Sequence, residues 1–142
     1  MNVQIKRIDK ELPLPKYETE GSVGFDLLAR DSITILPKEL ALVPNNIIVG
    51  TPKGYMFMLA NRSSTPRKKG LMVANGVGII DLDYCGPEDE VKTLVYNFTD
   101  TPVTIERGDK VSQGIFVRVD IASWEEVDEV HPESRGGFGS TG

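Results

Sequence analysis

The sequence predicts an all-β domain, a sandwich or barrel, on three observations. Apolar residues come in short bursts with period-two character, and Gly, Pro, Asn and Asp separate them. No stretch sustains a helical period for three turns. Many short strands at this spacing, broken by turn chemistry, belong to all-β folds rather than to alternating helix and strand.

Val3-Gln-Ile5-Lys-Arg-Ile8 opens the chain as the first strand. Ser32-Ile-Thr-Ile-Leu36, Leu40-Ala-Leu-Val43, Asn46-Ile-Ile-Val49 and Tyr55-Met-Phe-Met-Leu-Ala60 follow. Then come Val77-Gly-Ile-Ile80, Val91-Lys-Thr-Leu-Val-Tyr96, Val103-Thr-Ile105 and Val111 to Val119. Turns are expected at Leu36-Pro-Lys38, Thr51-Pro-Lys-Gly54, Asp100-Thr-Pro102 and Glu106-Arg-Gly-Asp109. The one helical candidate is brief, Ser63 to Lys69, where Ser63 or Ser64 is placed to cap and Pro66 suits a first turn. From His131 the apolar pattern stops, and the chain finishes Arg135-Gly-Gly-Phe-Gly-Ser-Thr-Gly142. So glycine-rich a segment is expected to be flexible unless something orders it.

The 142 residues fit one domain with a real core. A net charge of −5 argues against a general binder of nucleic acid or anionic membrane. A local basic cluster, Arg62, Arg67, Lys68 and Lys69, still allows a phosphate-bearing small substrate. Cys85 is the only cysteine and His131 the only histidine. An intrachain disulfide, a cysteine-rich zinc site and a catalytic imidazole pair are thereby excluded. With no apolar leader and no run near about 18 apolar residues, the expectation is a soluble, cytoplasmic protein.

Five constellations carry possible chemistry. In Asn75-Gly-Val-Gly-Ile-Ile-Asp81-Leu-Asp83-Tyr84-Cys-Gly86, two β-rich bursts flank a turn. Alternation would put Asp81 and Asp83 on one face and Tyr84 on the other. Ile79-Ile80 should anchor Asp81 against the core, and Gly76 and Gly78 permit close backbone approach; a plain hairpin with polar turn residues is the alternative. Ala60-Asn-Arg62-Ser63-Ser64-Thr-Pro-Arg67-Lys68-Lys69 reads equally as a phosphate cradle or a solvated basic loop. In Gly24-Phe-Asp26-Leu-Leu, a carboxylate within an apolar run needs partners, and backbone N–H groups are the simplest. Gly108-Asp-Lys-Val-Ser-Gln113 places an amide at or beside a core position. Phe138, among glycines and hydroxyls, suits either a lid over a flat ring or a loose terminus.

In this order and spacing the five segments resemble the motifs of the trimeric dUTPase family. The resemblance runs from about Gly24 to the last residue, and its third and fifth motifs are the specific ones. It implies a distorted jelly roll with at most one short helix, residues 1–130, and a flexible C-terminal arm, 131–142, closing the site of a neighbouring subunit. It implies a homotrimer that hydrolyses dUTP to dUMP and pyrophosphate, keeping uracil out of DNA and supplying dUMP for thymidylate synthesis.

By the same resemblance, Asp81 is the general base that activates water for in-line attack on the α-phosphorus, and Asp83 is a bystander of the turn. Tyr84 packs on the deoxyribose. Asn75 and the backbone of Gly78 and Ile80 read uracil. Arg62, Ser63, Ser64 and Gln113 hold phosphates, and Asp26 holds Mg2+ through water. Phe138 stacks on uracil, Arg135, Ser140 and Thr141 embrace the β- and γ-phosphates, and Gly139 also binds substrate.

The chain departs from the family pattern in four places. Asn61 precedes Arg62 where proline is common, and Thr65-Pro66-Arg67 replaces a small apolar stretch, so Arg67 and Lys68 either add phosphate contacts or are simply solvated. Extra residues near Pro87-Glu88-Asp89 form an acidic turn with no assigned role, and motif five is shorter than usual after Arg135. A related deaminase family with the same fold needs a glutamate where this chain has Leu94. An aliphatic side chain cannot do acid–base work. A nucleotide-sensing trimer is the non-enzymatic alternative, and it would have no use for Asp81.

Overall fold

The computed structural model describes residues 1–137 and 139. Among them are eleven strands and one short helix: β1 Gln4–Arg7, β2 Phe25–Leu28, β3 Ile33–Ile35, β4 Leu40–Pro44, β5 Ile47–Gly50 and β6 Tyr55–Asn61. Then follow α1 Thr65–Lys69, β7 Leu71–Val73, β8 Val77–Ile80, β9 Lys92–Asn97, β10 Val103–Ile105 and β11 Lys110–Arg118. Each predicted burst is a strand. Two strands went unpredicted, β2 and β7. Both are short, and β2 is interrupted by a carboxylate, so neither shows a clear alternation of its own.

All pairings are antiparallel. One sheet has the order β2-β11-β6-β8 and another β4-β9-β7, with two-stranded ribbons β1-β5 and β3-β10 beside them. The four-stranded sheet and the β1-β5 ribbon share one apolar cluster, with Phe25, Leu27, Phe57 and Leu59 against Ile47 and Val49. Phe25 and Phe57 stack at 5.8 Å between centroids, and Phe116 closes on Phe57 at 5.0 Å. The three-stranded sheet and the β3-β10 ribbon share a second cluster, with Val43, Leu71 and Val95 against Ile35 and Ile105.

Between the two clusters lies a polar layer. Along β9, Val91 precedes it and Val95 follows; along β4 and β5, Val43 and Ile47 flank Asn45 in the same way. Asn45, Thr93 and Ser112 fill it, all buried. Burying hydroxyls and an amide is tolerable only with partners. Thr93 Oγ1 lies 2.6 Å from Asn45 Oδ1 and 2.7 Å from Ser112 Oγ.

The helix is a single turn. Ser64 occupies the N-cap position but makes no side-chain cap bond, Pro66 stands in the first turn, and left-handed Gly70 ends it. The next connection carries the chain from one sheet to the other, since β7 pairs with β9 while β8 pairs with β6. The hairpin considered for Asn75 to Gly86, with its turn at Asp81 to Tyr84, is not formed, since β8 pairs with β6 while β9 pairs with β4 and β7.

Candidate active site

Asp26 on β2 and Gln113 on β11 are Cα partners across an antiparallel ladder, and Gln113 pairs on its other side with Ala60 of β6. Arg62 leaves the end of β6, so these three residues converge. The Asp26 carboxylate takes 2.7 Å contacts from Arg62 Nε at one oxygen and Lys110 Nζ at the other. The expectation that backbone N–H groups satisfy Asp26 is thus corrected: two cations do. Burial alone would raise the Asp26 carboxyl, but the hydrogen bonds from Lys110 and Arg62 outweigh it and hold it below its ordinary value.

Lys110 was not singled out by sequence reasoning, though it stands three residues before Gln113. It also binds Glu18 at 2.9 Å. Its pKa is raised by Asp26 first and Glu18 second. The signal that was available is a lysine within the same short motif as Gln113; the side to which it points was not.

The hydroxyls of Ser63 and Ser64 have no hydrogen bond to the described residues, leaving them open beside Arg62. The helix behind them is too short to present a substantial dipole, so the cradle rests on side chains rather than on a helix N-terminus. Within the basic cluster, Lys69 is committed to Asp109, whereas Arg67 and Lys68 are exposed and unpaired. Asn61, the departure before Arg62, accepts Val73 N–H at 2.7 Å and so ties β6 to β7.

The third motif lies along β8, the edge of its sheet. Gly76 has φ of 74°, a conformation natural to glycine, and a Cβ at Gly78 would meet the Leu59 side chain at 3.1 Å. Asn75 is exposed, and its carbonyl accepts Val77 N–H at 2.8 Å. Ile80 packs against the core, but Ile79 is 60% exposed, so only one of the two isoleucines anchors Asp81. The strand ends at Ile80 and turns at once, Tyr84 N–H reaching Asp81 O at 3.3 Å. Regular alternation consequently does not extend to Asp81, Asp83 and Tyr84.

Asp81 is exposed, and its carboxylate has no partner among the described residues. Tyr84 is tethered through its hydroxyl, which donates to Glu90 O at 3.1 Å. The extra acidic turn has a structural role: Asp89 Oδ2 accepts Gly86 N–H at 2.7 Å, and Lys6 Nζ donates to Pro87 O at 3.1 Å. Buried Glu90 then meets Arg30 with both oxygens, at 2.9 and 3.1 Å, and accepts Asn46 N–H at 2.8 Å.

These two halves do not meet within one chain. Ile80 is registered against Phe57 of β6, five residues before Arg62, which puts the strand end that leads into Asp81 about 17 Å along the sheet from Arg62. The described tail is no help, since every residue from Asp120 to Gly137 is exposed. Arg135 forms no ion pair with the described residues, and Gly139 has φ of 93°. Phe138, Ser140 and Thr141 lie outside the described residues.

No group of three or more His, Cys, Asp or Glu among the described residues is arranged to hold a metal ion. Asp26 is the carboxylate bound to Arg62 of the cradle, and both its oxygens already face cations. That donor set suits a hydrated ion delivered by a polyphosphate rather than one caged by protein.

The dUTPase family profile matches residues 10–142. The chain belongs to the dUTPase family. It is 40% identical over 146 residues to the deoxyuridine 5'-triphosphate nucleotidohydrolase of Thermobifida fusca (strain YX), covering all of this chain and 79% of that protein. The corresponding protein of Lactococcus lactis subsp. lactis (strain IL1403) is 41% identical over 132 residues, covering 91% of this chain and 87% of its own. The crystal structure of dUTPase from Streptococcus mutans superposes with a TM-score of 0.77 at 33% identity, covering 84% of this chain and 98% of that one. The Staphylococcus bacteriophage 80alpha dUTPase with dUPNHPP shares the fold at a TM-score of 0.86 and 22% identity, over 99% and 98% of the two chains.

The dUTPase jelly roll is therefore the architecture of this chain, nearly all β with a single short helix. Within it Leu94 stands on β9 opposite Leu42 of β4. No helix of the described residues is long and apolar enough to cross a membrane.

Proposed function

We propose that this dUTPase-family chain hydrolyses dUTP to dUMP and pyrophosphate at a site assembled from more than one copy. The observation that carries the reading is the separation of an unpartnered carboxylate, Asp81, from a ready phosphate cradle, Arg62 with Gln113 and Asp26. Each half is chemically incomplete. Two copies docked together supply both.

In this reading Asp81 orients and deprotonates the attacking water, its exposure leaving the carboxylate free to accept the proton. The Arg62 guanidinium, the Ser63 and Ser64 hydroxyls and the Gln113 amide hold the phosphates in line. Half of the backbone N–H and C=O groups of an edge strand face away from its neighbour. The outer groups of Gly78 and Ile80, with Asn75, are thus available to a uracil edge. Tyr84, pinned through its hydroxyl, offers a fixed ring face to the deoxyribose and leaves no room for a 2'-hydroxyl. Asp26 would hold Mg2+ through water, and the ion, when bound with the triphosphate, would supply charge neutralisation for the pyrophosphate leaving group. Arg135, Phe138, Gly139, Ser140 and Thr141, in an arm of residues 131–142, close over the base and the outer phosphates. The role is cytoplasmic: removal of dUTP keeps uracil out of DNA, and dUMP serves thymidylate synthesis.

A homotrimer fits the surface of the 1–130 domain. The outward face of the β4-β9-β7 sheet carries Leu40, Tyr96 and Met72 in one registered row and Leu42 with Leu94 in the next. Leu40 and Leu42 are more than half exposed. A continuous apolar face of this kind marks an interaction surface. The test is a nucleotide panel of dUTP, dCTP, dTTP and UTP with magnesium, scored for pyrophosphate release. Strong preference for dUTP is expected. Ammonia released from dCTP, or no turnover of dUTP, would overturn the reading.

A further inference from the structure

The residues that gather around Asp26 are out of phase with a regular strand. Lys110 and Gln113 are three apart on β11, and on an unbroken strand they would point to opposite faces. Here Lys110 is registered against Leu28 and Gln113 against Asp26, and those two positions on β2 share a face. The slip lies between Lys110 and Ser112, where the register with β2 shifts. Its mark is the adjacent pair Val111 and Ser112, both buried, 4% and 0% exposed. Two consecutive inward residues opposing one on the neighbouring strand constitute a β-bulge.

The bulge turns a serine into the interior, where its hydroxyl requires a partner. Thr93 Oγ1 has one proton and gives it to Asn45 Oδ1, so its contact with Ser112 Oγ is one in which Ser112 donates. The result is a directed chain, Ser112 to Thr93 to Asn45, lying in the layer between the two apolar clusters. With β11 in regular phase, Ser112 would leave this layer and the hydroxyl of Thr93 would lose its donor. Loss of that contact would add to the unpaired polar groups of a layer in which Asn45 Nδ2 already has no partner among the described residues, which makes the layer selective for one strand phase.

We propose that Thr93 and Ser112 are positioning residues for the phosphate cradle. By locking the β11 bulge they bring Lys110 and Gln113 to one side, against Asp26 and beside Arg62. Neither side chain reaches the surface; both act through the strand. The activity arm of the test rests on the proposed dUTP hydrolysis, whereas the structural arm does not.

The test uses the full-length chain with Thr93→Val, Thr93→Ser and Ser112→Ala, each measured at a temperature where it is folded. Thr93→Val keeps the volume and removes the hydroxyl. It is expected to lower kcat/KM for dUTP by about tenfold or more, chiefly through KM because the displaced groups hold phosphate. Thr93→Ser, which keeps the hydroxyl, should return to within about twofold of the parent chain. A crystal structure of Thr93→Val should show the bulge moved and Lys110 out of hydrogen-bond reach of Asp26. Unchanged kinetic constants with an intact bulge would overturn the proposal, as would a Thr93→Ser variant as impaired as Thr93→Val. If Thr93→Val does not fold, Ser112→Ala carries the same test, since it removes the donor and leaves the Thr93–Asn45 bond. Should the parent chain fail to hydrolyse dUTP, the crystal structure alone decides, and an unmoved Lys110 overturns the inference.

Discussion

Asp26 and Lys110 form a 2.7 Å ion pair on the same sheet face that presents Gln113, with Arg62 binding the other carboxylate oxygen. Burial opposes ionisation of Asp26, yet Lys110 and Arg62 hold its folded-state pKa below the unfolded value. A depressed carboxyl contributes stability that is complete above the unfolded pKa, near about 4, and is lost as pH falls through the folded value. The acid limb of the stability curve should therefore be shallower in Asp26→Asn than in the parent chain. Urea midpoints at neutral pH and below about pH 4 measure this. Parallel acid limbs would show that the pair does not contribute.

Asp81→Asn removes the base while keeping shape and most hydrogen bonding. Turnover of dUTP should fall by at least about 100-fold, with little loss of affinity for a non-hydrolysable dUTP analogue. Steady-state kinetics and titration calorimetry separate the two quantities. Near-normal turnover would remove Asp81 from the base role.

Glu90 is buried and bound by Arg30 through both oxygens, and it also accepts Asn46 N–H. Arg30, whose pKa is raised chiefly by the Glu90 hydrogen bond, keeps some solvent contact that softens the loss of its partner. Glu90→Ala should cost about 3 kcal/mol in chemical denaturation. Because the Glu90 carbonyl receives the Tyr84 hydroxyl, a larger loss of activity than of stability would indicate that Tyr84 moves with it.

Removing the residues after Ser134 should abolish most activity and leave the oligomer intact. The described part of this segment is exposed and adds no strand, so the body has little to lose. Size-exclusion chromatography with light scattering, alongside the pyrophosphate assay, checks both halves. A fully active truncated chain would exclude the lid role.

Much of this was readable in the residues. Period-two bursts found nine of the eleven strands, and Pro66 with the serines before it found the single helical turn. Asp81, Arg62, Gln113 and Asp26 were named from their motifs. What escaped were features decided by distant contacts. The partners of Asp26 come from β11 and from the end of β6, and no local pattern announces that Lys110 crosses to meet it. The bulge at Val111 and Ser112 was invisible because Val111 to Val119 scans as one strand, and a slip of one residue changes faces without changing composition. The alternation expected for Asp81 and Asp83 failed because the chain turns immediately after Ile80. Ile79 looked like a core anchor because hydrophobicity alone cannot tell a core face from a contact face.

The most direct test mixes two crippled chains. Asp81→Asn and Arg62→Ala, each inactive alone, are co-expressed with different tags and the mixed oligomer is purified. With the base and the cradle on different copies, some sites in the mixture receive an intact Asp81 from one chain and an intact Arg62 from another. Activity should then return to roughly a third of the parent level, one functional site in each mixed trimer. A mixed oligomer as inactive as its components would place both residues in one chain's site and contradict the account.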